Sequence, residues 1–434
     1  MKILIAYAKF DPNGRAGSDV YLRGMCRELA KLGHDVTVAT TASRGFVPVA
    51  AFSLKWQQDE SLDSDQGLGF RILRFPISSQ IPDSLRKPVA RFIVRQWDRE
   101  DFRDGALQSH SPRFPEFTLQ QVKTRNRIFD RLHAYTIGPS SSQLRRYLHQ
   151  HSRDYDCVIA GYFPFNIVKT ASIAARKAGR PFFVAPLWHS EDRHHYFRHL
   201  FEALRDSDGI ICETQNAQNL FEVLVPGSCC VKAGIGVDSR HLSPPAGAMP
   251  AWIKALKEKG QRLLLYVGRK EESKNYALLV QVMRRLNDPS VTLLMIGKDV
   301  DQKPIWHPRV ELHEQVDDNE LQWAYWACDI FLFPSQHESF GIVVLEAWAA
   351  QKAVIANSRC AAVSSLIEPG RDGLLCKTEE EWFTAIKTLL DDPDRRQSLG
   401  TFGHQTLLSN YTWAIVGKKV SDFLQAHSRK PSPV

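Results

Sequence analysis

The chain has 434 residues, more than one hydrophobic core usually serves, which predicts two domains with a cleft between them. A composition of 43% hydrophobic and 24% charged residues is typical of globular proteins and excludes disordered, fibrous and membrane-spanning classes. The formal net charge of +8 suits an anionic ligand or an acidic surface, and by itself it fits nucleic acid, phosphorylated sugar and lipid headgroups about equally.

The opening segment Lys2 to Ala8 is apolar but is interrupted by Lys9 and Asp11, so we interpret it as a first β-strand and not as a signal peptide. No apolar stretch of the sequence approaches the roughly 18 residues that a membrane span needs. The eight cysteines include no C-x-x-C pair, and several lie within apolar runs. We therefore expect a reduced, cytoplasmic protein without structural zinc.

Short apolar, β-branched runs alternate with longer amphipathic stretches, a pattern that predicts a doubly wound α/β fold with helices on both faces of a parallel sheet. In the first half a helix is predicted over Asp19 to Leu32, ended by Gly33. The strands predicted there are Lys2 to Ala8, Asp35 to Thr40, Asp156 to Ala160, Pro181 to Pro186 and Gly209 to Glu213.

Residues 45–150 fit this alternation poorly, and we interpret them as an elaboration of the first domain that shapes acceptor access. Basic residues recur there every four positions beside apolar ones: Lys87, Arg91, Arg95, Arg99 and Arg103 beside Phe92, Ile93 and Trp97. One interpretation is a basic amphipathic helix lying on the anionic inner face of a membrane. The other is a solvated helix face.

The second half restarts the alternation, which predicts a second sheet. Its predicted strands are Arg262 to Gly268, Val291 to Gly297, Val310 to Glu314, Ile330 to Pro334, Ala353 to Ala356 and Leu374 to Cys376. Turn-forming residues are dense over residues 243–250, as in a surface connection shortly after a domain crossing. The predicted domains are therefore residues 1–235 and 236–411.

Open α/β sheets bind ligands at the carboxyl ends of their strands, and four loops stand out there. The first, Pro12 to Ser18, offers small residues such as Gly17 that let the amides of a helix start approach a phosphate or sugar. A simple tight turn is the alternative. The second, Gly268 to Asn275, places Arg269 and Lys274 to neutralise one diphosphate, against the alternative of an exposed basic loop.

The third loop, Pro334 to Gly341, carries Glu338 and opens a helix on which Glu346 lies. Carboxylates accept hydrogen bonds from adjacent hydroxyl pairs, which favours Glu338 beside the donor sugar and Glu346 beside the ribose. A helix cap and a surface charge are the alternative, although Glu346 lies among apolar residues where an unpaired carboxylate is costly. The eight-residue separation argues against the facing acid and nucleophile of a hydrolase.

The fourth loop, Leu187 to Ser190, places His189 on the first-domain wall of the expected cleft. Nearby, the spacing of His195 and His199 is compatible with a metal, but neither an H-E-x-x-H pattern nor an obvious third carboxylate ligand accompanies them. We expect interdomain or acceptor contacts at these histidines and no metal site.

Taken together, these residues resemble the retaining GT-B glycosyltransferases, the group that includes bacterial glycosyl group 1 enzymes, also described as glycosyltransferase family 4-like, sucrose synthase and phosphatidylinositol mannosyltransferases. The resemblance covers nearly the whole chain apart from residues 45–150 and rests on four stretches in order: Gly17 to Val38, Gly234 to Asp238, Val267 to Asn275, and the E-x7-E signature from Glu338 to Glu346.

The resemblance implies a GT-B fold, two Rossmann-like domains facing a central cleft, with a closing helix at about 412–427 that packs back on the first domain. It implies the catalytic residues His189, Arg269, Lys274 and Glu338. It implies the donor-binding residues Gly17, Gly268, Ser339, Phe340, Gly341, Ile342, Val343 and Glu346.

Three positions depart from the family pattern. Ala16 takes the first place of a usual glycine pair, Ala233 to Ile235 replaces a usual Pro-Asn before Gly236, and Gln351 to Ala353 replaces a usual Gly-x-Pro. The first is sterically mild, the second bears on the domain crossing, and the third on a helix end. None removes a charged group from the predicted site.

The implied activity is retaining transfer of a hexose-type sugar from a UDP- or GDP-sugar to a hydroxyl of a glycan, lipid-linked or small-molecule acceptor, without a metal ion or other cofactor. A catalytically silent nucleotide-sugar-binding scaffold is the alternative. An epimerase or phosphorylase would need further acidic groups or a lysine-bound cofactor, which the sequence does not reveal. No nucleic-acid partner is expected, because no recognition motif accompanies the positive charge.

Overall fold

The structure, a computed structural model, describes residues 1–50, 53–58, 67–78, 88, 130–131, 133–134, 137–189, 195–305 and 307–428. The predicted basic helix of residues 87–103 lies outside this part of the chain, apart from residue 88. The chain divides into two compact units. Unit 1 comprises Met1–Gly234 and Val416–Val434, and unit 2 comprises Ile235–Ile415.

The core of unit 1 is a seven-stranded sheet in which each strand pairs with its neighbours in parallel. In spatial order β5-β2-β1-β6-β7-β8-β9, its strands are Arg71–Phe75, Asp35–Thr41, Lys2–Tyr7, Cys157–Gly161, Phe182–Ala185, Gly209–Cys212 and Cys230–Lys232. A separate antiparallel pair is formed by β3 (Ser43–Ala50) and β4 (Ser53–Gln58).

The five strands predicted in this half are confirmed, with small shifts at their ends. The sequence interpretation missed β5, which it had placed in the elaboration of residues 45–150, and β9. Both form the outer edges of the sheet and have mostly half-buried side chains. Edge strands lack the continuous apolar run of a strand buried on both faces, which explains why the pattern was weak.

Helices connect and cover these strands. In unit 1 they are α1 (Gly17–Lys31), α2 (Ser142–His151), α3 (Ile167–Ala178), α4 (Arg198–Arg205) and α5 (Gln215–Leu224). The apolar faces of α2 to α5 pack with the sheet into one cluster in which Leu148, Ala175, Phe197 and Phe221 are fully buried. The predicted first helix is thus confirmed, beginning two residues earlier than expected.

Unit 2 is built on a second parallel sheet of six strands in the order β12-β11-β10-β13-β14-β15. In chain order, β10 to β15 are Arg262–Val267, Val291–Ile296, Val310–His313, Ile330–Phe333, Ala353–Asn357 and Leu374–Cys376, as the sequence predicted within one or two residues. Its helices α6 to α12 are Ala251–Glu258, Tyr276–Leu286, Asp318–Ala327, Ile342–Ala349, Ala361–Ser364, Glu379–Asp391 and Pro393–Asn410. The predicted doubly wound α/β class is therefore confirmed for both units.

The departure at Gln351 lies just after α9. Gln351 adopts a left-handed backbone with φ 56, a conformation that favours glycine. A Cβ added to Gly400 of α12 would lie 2.1 Å from the Gln351 carbonyl oxygen, and one added to Gly403 would lie 2.2 Å from the Trp348 ring. The small residues therefore lie on the neighbouring helix, which lets α12 pack closely against the end of α9.

The closing helix α13 spans Trp413–Ser428, and the division of the chain assigns its residues from Val416 onward to unit 1. There Ser421 hydrogen-bonds His34 at 2.8 Å, and the Phe423 ring meets Phe183 with 5.8 Å between ring centroids. Gly417 allows close approach to Glu28, since a Cβ at this position would lie 2.5 Å from the glutamate Cβ.

Candidate functional site

The strand order of unit 2 brings together two loops that are far apart in the sequence. Strand β10 lies between β11 and β13, so the order of the sheet reverses beside it. Leu264 pairs with Ile330 and Leu265 with Phe331. The loops that follow β10 and β13 therefore leave the same edge of the sheet side by side, at the topological switch point where open α/β sheets bind ligands.

An ion pair joins these two loops. The Nζ atom of Lys274, in a 3-10 turn after β10, lies 2.7 Å from Oε1 of Glu338 in the loop after β13. Their side chains are only 16% and 18% exposed. The structure thus brings together one residue predicted to hold the diphosphate and one predicted to hold the sugar.

Arg269 lies in the same loop but reaches solvent. Its guanidinium pairs with Glu271 at 3.0 Å and its side chain is 60% exposed. The Glu271 side chain is only 16% exposed, but solvent on the arginine side screens the pair, so the guanidinium can exchange Glu271 for a phosphate. The backbone is more firmly held, because the hydroxyl of Tyr266 donates to the Arg269 carbonyl at 2.7 Å. Burial, followed by the charge of Glu338, raises the pKa of Tyr266 and keeps this hydroxyl protonated.

Sequence reasoning missed Lys270, the chain neighbour of Arg269. Its side chain is 1% exposed, and its ammonium donates to Asp299 at 2.6 Å. That hydrogen bond is the main cause that lowers the pKa of Asp299. The backbones approach closely as well, since a Cβ added to Gly297 would lie 2.2 Å from the Gly268 carbonyl oxygen. Two adjacent basic residues look alike in the sequence, and only the fold shows which one is buried.

The end of β13 is fastened by amide side chains. Asn357 donates to the Pro334 carbonyl at 3.0 Å, and Asn275 donates to the same oxygen at 3.4 Å. Asn275 itself has a left-handed backbone with φ 53. These bonds hold the loop with Glu338 against both β14 and the loop with Lys274.

The turn into α9 depends on Gly341. It has φ 99, and a Cβ there would lie 2.9 Å from Val363. Ile342 and Val343 begin α9, and helix geometry leaves the first amides without partners inside the helix, which suits an anion. Ser339 is half-buried, whereas Phe340 is buried against the ring of Tyr411, with 5.8 Å between centroids.

Glu346 lies further along α9 and has a different partner from Glu338. The hydroxyl of Tyr325, on α8, donates to its Oε2 atom at 2.7 Å. Burial, followed by the charge of Glu346, raises the pKa of Tyr325 well above its ordinary value. The two carboxylates of the E-x7-E signature are therefore placed to act on separate groups.

In unit 1 the loop before α1 is held by two charged side chains of that helix. Asp19 accepts hydrogen bonds from the backbone of Asp11 at 3.1 Å and from Lys9 at 3.3 Å. Arg23 donates to the carbonyls of Pro12 and Gly14 at 2.8 and 3.0 Å. The conformation that presents Gly17 at the helix start is therefore built into the unit itself.

His189 follows β7 in unit 1. Its backbone amide donates to Nδ1 of His195 at 3.1 Å, and the two rings meet edge to face at 5.7 Å. The amide of the preceding residue, Trp188, donates to the buried carboxyl of Glu213 at 2.7 Å. Glu213 was not singled out from the sequence, because a lone acidic residue after a strand gives no signal of burial.

The described part of the chain contains no group of three or more His, Cys, Asp or Glu residues placed to hold a metal ion. His199, one of the two histidines considered for a metal, is buried, and burial lowers its pKa to about 3. Over these same residues, no helix combines the length and apolar character needed to cross a bilayer.

Residues 250–406 match the family described as glycosyl transferases group 1. They belong to that family. This glycosyl transferases group 1 segment contains both loops of the site, with Lys274, Glu338 and Glu346. The roles predicted for individual residues remain predictions.

Two curated relatives extend the similarity. The chain is 28% identical over 218 residues to the D-inositol 3-phosphate glycosyltransferase of Corynebacterium kroppenstedtii, covering 45% of this chain and 48% of the relative. It is 26% identical over 249 residues to the glycogen synthase of Mycobacterium tuberculosis, covering 53% and 58%. The chain thus spans about half the length of these relatives.

Solved structures show the fold over nearly the whole chain. HepE of Anabaena in complex with UDP superposes with a TM-score of 0.68 at 15% identity, covering 98% of this chain and 100% of that one. The E. coli structure described as trehalose-6-phosphate bound with UDP-2-fluoro glucose gives 0.67 at 13% identity, covering 99% and 100%. The glycosyl transferases group 1 segment is thus the second Rossmann-like unit of a GT-B fold, as predicted.

Proposed function

We propose that the protein is a retaining glycosyltransferase that uses a nucleotide-diphosphate sugar as donor and needs no metal ion. The observation that carries the proposal is the ion pair between Lys274 and Glu338 at the switch point of the unit 2 sheet. A cation for phosphate and a carboxylate for sugar hydroxyls lie within one hydrogen bond of each other. This is the arrangement needed where a sugar is joined to a diphosphate.

The donor is placed in the following way. Arg269, Lys274 and the first amides of α9 bind the diphosphate, and their positive charge stabilises it as it leaves. Glu338 accepts hydrogen bonds from hydroxyls of the donor sugar, and Glu346 from the ribose. The ion pair with Glu338 holds the Lys274 side chain in place, so the site is organised before the donor binds.

In the transfer step the bond between the anomeric carbon and the diphosphate breaks, and a bond to the acceptor hydroxyl forms on the same face. The departing phosphate oxygen accepts the proton of the acceptor hydroxyl, so no protein base and no covalent sugar-enzyme intermediate is needed. Trapping a glycosyl group on Glu338 would exclude this version. His189 is the residue that we assign to catalysis from unit 1, the acceptor side.

UDP- and GDP-sugars are the proposed donors. A uracil donor is supported by HepE of Anabaena, which has been solved with UDP, with UDP and glucose, and with UDP-glucose. The acceptor is proposed to be a glycan, a lipid-linked sugar or a small molecule bearing a hydroxyl. A cytoplasmic location is proposed with it, because nucleotide-sugar donors are intracellular, with peripheral contact to an anionic membrane where the acceptor is lipid-linked.

The test is calorimetric titration of UDP, GDP and ADP in EDTA. We expect one nucleotide to bind without metal and both Arg269→Ala and Glu346→Ala to weaken it. Matched controls are Arg284→Ala and Glu258→Ala, which remove exposed residues of the same types from the same unit. Nucleotide affinity that is unchanged in both Arg269→Ala and Glu346→Ala, or binding that requires a divalent ion, contradicts the proposed donor site.

Turnover distinguishes an enzyme from the alternative, a silent nucleotide-sugar-binding scaffold. Slow hydrolysis of UDP-glucose in the absence of acceptor is monitored by measuring the UDP that is released. Proton NMR reports the anomeric configuration of the first product. Nucleotide binding with no turnover of any UDP- or GDP-sugar, with or without a pool of acceptor glycans, would support the scaffold.

A further inference from the structure

The loop that carries His189 has an unusual backbone. Leu187 adopts a left-handed conformation with φ 47, which is unfavourable for a residue with a Cβ. Trp188 and His189 follow it, and both direct their amides to side chains and not to a strand. Such a backbone persists only where its surroundings hold it, and strained residues of this kind concentrate at functional sites.

Glu213 provides the first contact that restrains this loop. It follows β8, the parallel neighbour of β7, so it lies beside the residues that leave β7. Its Oε1 atom accepts the Trp188 amide at 2.7 Å, and its side chain is 2% exposed. The next residue, Thr214, caps α5 by accepting the amide of Ala217. The glutamate is thus anchored between the end of β8 and the start of α5.

Packing of the Trp188 ring provides the second contact that restrains this loop. It is 3% exposed and packs edge to face on an aromatic cluster that includes Tyr196 at 5.1 Å and Phe221 at 5.2 Å. Contacts therefore hold both ends of Trp188, its amide on Glu213 and its ring in this cluster. These two contacts fix the backbone at Trp188 and therefore set the direction in which the side chain of the next residue, His189, projects.

A carboxyl is an expensive acceptor in this position. The Oε2 atom of Glu213 is buried without a hydrogen-bond partner among the described residues, and burial raises the pKa of the group to about 8. A backbone amide needs only one acceptor, which an uncharged side chain supplies at lower cost. A buried group that is more costly than the alternative is expected mainly at functional sites.

We propose that Glu213 is a positioning residue of the transfer reaction: by holding the Trp188 amide, it sets the loop that presents His189. The inference rests on the proposed function for its kinetic consequence, but the positioning itself is a property of unit 1. The hydrogen bond, the left-handed Leu187 and the packed Trp188 ring are three independent restraints on the same short loop.

The experiment compares Glu213→Ala, which removes the acceptor, with Glu213→Gln, whose amide oxygen still reaches the Trp188 N–H. Glu222→Ala is the matched control, since Glu222 is an exposed glutamate on the neighbouring helix α5. One readout is the imidazole NMR signal of His189 in protein with 13C-labelled histidine, assigned by its loss in His189→Asn. The other is turnover of UDP-glucose.

We expect Glu213→Ala to shift the His189 signal and to lower kcat on the order of 10- to 100-fold with KM for UDP-glucose unchanged. Glu213→Gln recovers the signal position and most of kcat, and the control matches the wild type. A purely structural role predicts loss of thermal stability without rescue by glutamine. If Glu213→Ala does not fold, Glu213→Asp, shortened by one methylene, replaces it.

A His189 signal that stays in place in folded Glu213→Ala overturns the proposal, as does a fall in kcat that glutamine does not rescue. Failure of the proposed function is a separate outcome. If the wild type does not turn over any nucleotide sugar, the transferase assignment falls, and the His189 signal alone still decides whether Glu213 positions the loop.

Discussion

The ammonium of Lys274 lies 2.7 Å from Oε1 of Glu338, although the two residues are 64 positions apart in the chain. The contact exists because β10 and β13 are neighbours in the sheet. In the proposed donor site the two groups serve different parts of one molecule, so their removal has separable effects.

We expect Lys274→Met to weaken UDP binding about tenfold or more, because a charge-assisted hydrogen bond contributes roughly 1.5–3 kcal/mol. Glu338→Gln is expected to leave UDP affinity within about threefold, because UDP has no sugar at the position that Glu338 serves, and to lower turnover of UDP-glucose strongly. Calorimetry with UDP and kinetics with UDP-glucose separate the two roles. Equal weakening of UDP binding by both variants would contradict the assignment.

Gly341 provides a second prediction, on the start of α9. Gly341→Ala incurs the left-handed backbone penalty of about 1–2 kcal/mol and also a clash, since the new Cβ lies 2.9 Å from Val363. We expect a loss of stability, seen in denaturant unfolding, and weaker UDP binding because the first amides of the helix move.

The matched control is Gly260→Ala in the same unit. Gly260 has φ 72 and nothing within 4 Å of an added Cβ, so it incurs the backbone penalty alone and lies outside the site. We expect it to lower stability to a similar or smaller extent and to leave UDP affinity unchanged. If both variants weaken UDP equally, global destabilisation and not the geometry of α9 is responsible.

Much of this fold was predictable because central strands of a parallel sheet are buried on both faces. Runs such as Leu263 to Val267 and Ile330 to Phe333 are apolar throughout and end at glycine or proline. The loops that bear Lys274 and Glu338 follow directly from those ends. Their contact did not follow, because the order of strands in a sheet is a property of the folded chain.

Burial of single polar residues is a second feature that the sequence did not reveal. Lys270 and Glu213 are each nearly inaccessible, yet Arg269, next to Lys270, and Gln215, two positions after Glu213, are exposed. A polar side chain next to a strand end has the same appearance in either case. The outer strands β5 and β9 were missed for a related reason, since partial exposure dilutes their apolar pattern.

The buried pair of Lys270 and Asp299 yields a third prediction. Lys270→Met leaves Asp299 without its cation, and we expect a loss of about 1–3 kcal/mol in the free energy of unfolding, moderated by the 18% exposure of Asp299. Lys303→Met is the control, because Lys303 is 64% exposed and approaches Glu272 and Asp301 only to 3.9 and 4.0 Å. Urea denaturation measures both. A loss no larger than that of the control would show that the pair contributes little.

The same pair sets an acid dependence. Lys270 lowers the pKa of Asp299 below its ordinary value of 3.8, so the pair contributes stability above that value, and the contribution is lost as pH falls through the lower, folded-state pKa. Asp299→Asn cannot titrate. We expect the stability difference between the wild type and this variant to be constant above about pH 4 and to shrink below it. A difference that is independent of pH down to acid unfolding would contradict the pair.

Glu213 predicts a pH dependence of the opposite sign. Burial raises its pKa from 4.5 to about 8, so the folded protein keeps a proton that the unfolded chain has lost across this range. The unfolded state therefore binds fewer protons, and the contribution of Glu213 to the free energy of unfolding falls as pH rises from about 4.5 to about 8 and then levels off.

Glu213→Gln keeps the acceptor for Trp188 and removes the titration, so its stability relative to the wild type should increase across this window. Glu222→Gln, at an exposed site on α5, is the control, and subtraction cancels the groups that all three proteins share. Unfolding in urea at a series of pH values measures the differences. A flat difference between Glu213→Gln and the wild type would mean that the carboxyl ionises normally and that its burial carries no cost.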